Sequence, residues 1–176
     1  RITGNKVEEP AVQQSYNLNQ DMSHYIMFKD NLINRDSQHP SDKTLWYFES
    51  PPIILNPEQK PGTQASKNYK PIYPNVLTFT MTSFVGDFKS QNSDLKLVKI
   101  KNAGNCITFK APEYNGEMRT FNVPFISQLW HFEGSEAEVS DNEFKAMFNG
   151  PFIMEILGDW TQGMEVIGLD NVIIWK

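Results

Sequence analysis

A strictly alternating segment near the middle of the chain constrains the fold more than any other feature of the sequence. Leu77, Phe79 and Met81 alternate with three threonines over residues 77–82. A period of two places one side of a β-strand on a hydrophobic core and the other side in water. The sequence therefore predicts a half-buried β-strand at this position.

Similar short apolar runs recur along the chain and are separated by turn-forming residues. We expect further strands at residues 25–28, 45–48, 95–101, 107–109, 121–125, 152–157 and 166–175. Within residues 95–101 the alternation changes phase, because Leu95 and Leu97 share one face while Val98 and Ile100 share the opposite face. A bulge near Leu97 and Val98 would restore the phase.

Two local signals interrupt these strands. Asn115 and Gly116 form a turn signal of the hairpin kind between two of them. Ser140 and Glu143 have the spacing of a capping box, which predicts a short α-helix near residues 140–149. The sequence therefore predicts an all-β chain, an antiparallel β-sandwich or jelly roll with one short α-helix.

The ends and loops of the chain define its organisation. We interpret residues 1–21 as an N-terminal arm or linker, which could instead add a strand to a neighbouring subunit. Residues 22–176 are the sandwich domain, and its prolines predict a long surface loop at about 56–74. The chain begins at Arg1 without a methionine, so we expect it to be processed or excised from a longer precursor.

Composition excludes several functional classes. The 176 residues can form one domain with a real core. The net charge of −5 argues against a general nucleic-acid binder. No apolar run approaches the roughly 18 residues that a spanning helix needs, so we expect no membrane insertion. The single cysteine, Cys106, excludes an internal disulfide and a zinc site with several thiolates.

Motifs that would indicate catalysis or a cofactor are absent from the sequence, including glycine-rich phosphate loops, nucleophile elbows and metalloprotease helices. The three histidines, His24, His39 and His131, lack the repeated spacing of a metal set. Carboxylates between Glu133 and Glu143 could attract calcium or could form a solvated acidic surface. We therefore predict no catalytic residue, no cofactor and no metal site.

Aromatic side chains are the candidates for ligand contact. Trp46 and Trp175 occupy alternating strand positions, so we expect both to be buried. Trp160 is flanked by turn residues and is expected to be an exposed contact, although it could instead cover the end of the sandwich. Trp160, or the aromatics of the proline-rich loop between Tyr69 and Tyr73, could line a platform on which a sugar stacks.

The order of these features resembles the laminin B domain, also called laminin type IV, over residues 22–176. The resemblance rests on the run Trp46-Tyr47-Phe48-Glu49-Ser50-Pro51, on the successive strands that follow it, and on the closing motif Gly168-Leu169-Asp170-Asn171-Val172. The family implies a galactose-binding-like β-sandwich. Structural roles follow for Trp46, Pro51, Asp170 and Asn171. Some folds of this kind hold calcium near the sandwich edge, which leaves Asp170 as an alternative metal ligand.

The resemblance also implies a function. A domain of this family is a non-enzymatic structural or adhesive module of a larger extracellular or cell-surface assembly. We expect it to act through protein partners or self-assembly. The alternative is a carbohydrate-binding jelly-roll module, in which Trp160, Tyr69 and Tyr73 contact a glycan.

Overall fold

Ten β-strands, one α-helix and one short 3-10 helix (Ser127–Leu129) form the secondary structure in the part of the chain that the computed structural model describes. This part comprises the backbone of residues 2–3 and 26–30 and all atoms of residues 45–55, 70–135 and 137–176. The strands are β1 (Ile2–Thr3), β2 (Ile26–Asp30), β3 (Tyr47–Glu49), β4 (Val76–Val85), β5 (Lys96–Asn102), β6 (Asn105–Lys110), β7 (Arg119–Pro124), β8 (Trp130–Phe132), β9 (Ile153–Leu157) and β10 (Glu165–Trp175), and the helix is α1 (Asp141–Ala146).

The strands form two antiparallel sheets. The larger sheet has six strands in the order β1-β3-β9-β5-β6-β8, and the smaller sheet has four strands in the order β2-β10-β4-β7. In the larger sheet β9 lies between β3 and β5, and in the smaller sheet no two neighbouring strands are consecutive in sequence, as expected for a sandwich rather than a series of hairpins. The predicted all-β sandwich with one short helix is therefore confirmed.

The core lies between the sheets. Leu77, Phe79 and Met81 of β4 have no exposed surface, as the alternation predicts. Ile100 and Ile107 contribute from the larger sheet, together with a set of aromatic rings. Burial of one such side chain stabilises the fold by about 1.5–3 kcal/mol, so this layer supplies most of the driving force for folding.

A bulge in β5 repairs the change of phase seen in the sequence. The pairing of β5 with β6 shifts register between Lys96 and Val98, as predicted. Because the extra residue resets the alternation, Leu97, Val98 and Ile100 are all buried. The core side of β5 is thus continuous across the irregularity.

A second bulge lies in β10. Asp170 pairs with Thr80 and Ile173 pairs with Thr78, so three steps along β10 correspond to two steps along β4. Asn171 within this bulge has φ 51°, in the left-handed region that asparagine tolerates better than most residues. The extra residue turns Trp175 to the side opposite from the one that strict alternation predicts.

The predicted helix is confirmed and the predicted hairpin is wrong. Ser140 and Glu143 form the capping box at the start of α1. The turn at Asn115 and Gly116 does not join a hairpin, because β6 and β7 belong to different sheets. Gly116 has φ 87°, so the turn chemistry was identified correctly, but the chain uses it to cross between the layers.

Two predicted segments lie largely outside the described residues. Of the N-terminal arm at 1–21, the structure describes the backbone of Ile2–Thr3, which pairs with Tyr47 and Phe48 of β3 in the same chain. Of the loop predicted at 56–74, it describes residues 70–74. The described residues contain no helix long and apolar enough to cross a membrane.

Candidate functional site

Trp160 is buried, which corrects the expectation that it is an exposed contact. Its side chain is 0% exposed, its indole N–H donates to the Met81 sulfur at 3.2 Å, and its ring centroid lies 4.7 Å from that of Tyr114. The carboxylate of Glu165, also fully buried, accepts from the backbone N–H groups of Trp160 and Thr161. This carboxylate draws the turn inward, so that Trp160 covers the end of the sandwich.

The other predicted ligand-binding aromatics do not join Trp160. Tyr73 is half-buried near the start of β4, and Lys145 lies over its ring with the Nζ atom 5.9 Å from the centroid. Trp160 instead bonds to Asn92 in the loop that follows β4, at the far end of that strand. Tyr69 lies outside the described residues. The structure therefore does not bring Trp160 and Tyr73 into one platform.

The predicted structural residues take different positions. Trp46 is buried against Gly158, where a Cβ atom would lie 1.8 Å from the Trp46 ring. Pro51 is exposed after β3. Asp170 accepts at Oδ1 from the backbone N–H of Asn171 at 2.7 Å, within the bulge of β10. Among the described residues, no group of three or more His, Cys, Asp or Glu is placed to hold a metal ion.

Trp175 is exposed, which corrects the expectation that it is buried. Half of its side chain, 51%, is open to solvent, and its indole N–H donates to the Thr78 hydroxyl at 2.9 Å. The bulge at Asn171 is the cause, because it turns Ile174 toward Leu77 on the core side and Trp175 to the opposite side. Sequence reasoning missed this site, although the left-handed preference of Asn171 was a signal for the bulge.

The outer face around Trp175 has a regular arrangement, which we call the threonine face. Its nine positions form three rows across β10, β4 and β7, as fixed by the strand register. The rows are Trp175, Val76 and Pro124; Ile173, Thr78 and Asn122; and Asp170, Thr80 and Thr120. The hydroxyls of Thr80 and Thr120 lie 3.2 Å apart and form one hydrogen bond. This face thus combines one exposed indole with hydroxyl and amide groups.

The outer face of the larger sheet carries charges that are paired, and we call it the lysine face. Lys99 donates to the carboxylate of Glu133, and Lys101 donates to the carboxylate of Glu155. Lys99 also lies over the ring of buried Tyr47, with its Nζ atom 4.7 Å from the centroid. Burial, followed by the charge of Glu155, raises the pKa of Tyr47.

Cys106 lies on this lysine face but is not poised as a nucleophile. Burial, together with the charge and hydrogen bond of Glu133, raises the pKa of its thiol to about 12. The reactive species of a cysteine is the thiolate, which is scarce at neutral pH when the pKa is this high. Cys106 therefore supplies no nucleophile here.

Comparisons with known proteins identify a structural relative. No protein-family model matches the chain, and no curated protein matches it. Among solved structures, the chain is similar to the L4b domain of human laminin alpha-2, with a TM-score of 0.54 and 10% sequence identity. The alignment covers 74% of this chain and 68% of the laminin chain. The described chain is thus a β-sandwich with a laminin L4b-like fold.

Proposed function

We propose that this chain is a non-enzymatic structural or adhesive module of a larger extracellular or cell-surface assembly and acts through protein–protein contacts. The observation that carries the proposal is the likeness of its fold to a domain of laminin alpha-2. The paired charges of the lysine face support the non-enzymatic part of the proposal, because Lys99 and Lys101 each engage a carboxylate. Ion pairs of this kind are common as purely structural contacts and are not by themselves a sign of a catalytic site.

Exposed apolar side chains at one end of the sandwich form the proposed contact surface. Ile72, Ile126 and Leu129 are large apolar residues with substantial exposure. The backbone N–H of Phe125 donates to the carbonyl of Asn75 and ties the two loops that carry them. Apolar side chains grouped on loops are typical of surfaces that bind another protein.

The first test is the mass and architecture of the protein isolated from its native source. We expect a defined assembly in which each specific interface buries at least about 1,000 Å². A monodisperse monomer that recovers no partner from native extracts would contradict the proposal. Native mass spectrometry and electron microscopy give both readouts.

A pair of variants then locates the contact. Replacement of Ile126 and Leu129 by glutamate places charge on the proposed surface, and we expect the assembly to dissociate. The matched control replaces Val85 and Met164 by glutamate, since these exposed apolar residues lie at the opposite end of the smaller sheet. Equal loss of assembly in both double variants would show that this end of the sandwich is not the contact.

A further inference from the structure

The half-exposed indole of Trp175 makes a hydrogen bond within its own sheet. Its N–H donates to the hydroxyl of Thr78, which stands one row away on β4. The only polar group of the indole is therefore satisfied inside the protein, and the surface that it offers to solvent is the ring itself. A ring of this kind binds by stacking and not by donating a hydrogen bond.

We propose that the threonine face is a binding site for a neutral glycan, which stacks a sugar ring on Trp175. A pyranose ring combines an apolar surface of C–H groups with a rim of hydroxyls. The threonine face has the complementary arrangement, an apolar ring next to hydroxyl, amide and carboxylate groups. Sites that bind small ligands commonly combine apolar contact with a few placed polar groups.

The charge of the threonine face argues against an anionic ligand. The nine positions contain no Lys or Arg, and they contain one carboxylate, that of Asp170. Within these nine positions a phosphate or sulfate group finds no cation to bind it, and nucleic acids need several such cations. A neutral ligand meets no such penalty.

The apolar area within the nine positions is small for a protein interface. Ile173 and Trp175 are the two large apolar residues with high exposure among the nine positions. A stable protein interface buries at least about 1,000 Å² around an apolar core, whereas a sugar ring needs one aromatic side chain and a few hydrogen bonds. The proportion of ring to hydroxyl groups therefore favours the smaller, polar ligand.

The polar groups next to the indole can still bond a ligand. The Thr78 hydroxyl accepts from Trp175 and keeps its own O–H to donate. Thr80 and Thr120 share one hydrogen bond, which leaves one hydroxyl hydrogen of the two for a ligand. Asn122 is exposed and supplies amide donors and an acceptor.

The strand geometry brings these groups within reach of a short oligosaccharide. Rows that are two residues apart along a strand are separated by about 6.8 Å, and neighbouring strands by about 4.8 Å. A sugar stacked on Trp175 thus places its rim beside the row of Thr78 and Asn122. A second sugar unit reaches the row of Thr80 and Thr120.

The test begins with the full chain on an array of neutral glycans that includes cellohexaose, chitohexaose and maltohexaose, with a heparin hexasaccharide as the anionic probe. Calorimetry then measures the affinity for the best neutral oligosaccharide. We expect Trp175→Ala to lower this affinity about tenfold or more and Trp175→Phe, which keeps a ring, to retain most of it. Thr80→Val with Thr120→Val should also weaken binding while leaving the indole in place. Thermal unfolding verifies that each variant is folded.

Several outcomes would overturn this inference. They are the absence of binding to every neutral glycan on the array, a preference for the heparin probe, and unchanged affinity in Trp175→Ala. Dimerisation of the chain that Trp175→Ala abolishes, without glycan binding, would assign the face to a second copy instead. The Ile126 and Leu129 glutamate variant should keep glycan affinity, so that failure of the protein-contact proposal and failure of this inference can be told apart.

Discussion

The lysine face and the threonine face lie on opposite sides of one core, yet they expose different chemistry. On the lysine face, the ammonium groups of Lys99 and Lys101 are bound to carboxylates, and Glu155 is itself buried. On the threonine face, the ring of Trp175 is half open to solvent beside hydroxyl groups. Both faces belong to antiparallel sheets, so the difference comes from side chains and not from strand arrangement.

This contrast distinguishes charged groups that are bound to each other from polar and aromatic groups that are open to solvent. An ion pair balances the charge of both partners and restricts their positions. A hydroxyl group that accepts one hydrogen bond can still donate its own hydrogen to a ligand. An indole whose N–H is already bonded can still offer the face of its ring to a ligand. We therefore place stability on the lysine face and recognition on the threonine face, and the following changes test that division.

Removal of Glu155 should have the largest effect. Glu155→Ala removes the buried carboxylate that binds Lys101. We expect the free energy of unfolding to fall by about 2 kcal/mol, less than for a fully buried pair because Lys101 is partly exposed. Denaturation by urea measures the change. Asn122→Ala on the threonine face is the control and should stay within about 0.5 kcal/mol. Equal losses in the two variants would remove the distinction between the faces.

Disruption of the bulge in β10 should have the next largest effect. Asn171→Val places a β-branched residue at φ 51°, and we expect a loss of about 1–2 kcal/mol. Asn171→Gly, which tolerates this φ, is the matched control and should remain close to the wild type. If the bulge positions Trp175, acrylamide quenching of its fluorescence should decrease in Asn171→Val and not in Asn171→Gly. Unchanged quenching in both would show that Trp175 is held outward by other contacts.

The two bulges also show which parts of the fold were predictable from the sequence. In β5, apolar residues switch from one phase to the other while lysines occupy the alternate positions, so the bulge near Leu97 and Val98 was readable. In residues 172–175 every side chain is apolar. Without polar residues in the run, the sequence does not indicate which side chains face the core and which face solvent. The bulge at Asn171 therefore escaped prediction, and with it the exposure of Trp175.

Trp160 illustrates the opposite error. Its turn-forming neighbours predict exposure, but the buried carboxylate of Glu165 binds the backbone of that turn and draws it into the core. This interaction depends on a side chain that folds back across a short loop. Neither the periodicity of apolar residues nor turn propensity predicts such a contact. The helix at residues 141–146 was predictable because its capping box is local. The layers were predictable because alternation is local as well.

Removal of Trp175 should change solvent-accessible fluorescence more than stability. Trp46, Trp130 and Trp160 are buried, whereas Trp175 is half exposed. We expect Trp175→Ala to cost about 1 kcal/mol or less and to remove most of the fluorescence that acrylamide quenches readily. The buried tryptophans provide the internal reference. Retention of the readily quenched component would show that another tryptophan is the accessible one.

Acid should produce the smallest effect and should act on the lysine face. The hydrogen bond from Lys99 holds the pKa of Glu133 below its ordinary value. A carboxyl group whose pKa is lower in the folded state contributes its stability above the unfolded value, and the contribution is lost as the pH falls through the folded value. Because Glu133 is largely exposed, we expect Glu133→Gln to cost about 0.5 kcal/mol near neutral pH. The difference from the wild type should shrink as the pH falls through the lowered pKa of Glu133, because the protonated carboxyl group is then uncharged like the glutamine. Urea denaturation at several pH values measures it, and a difference that persists in acid would mean that Glu133 acts by packing and not by charge.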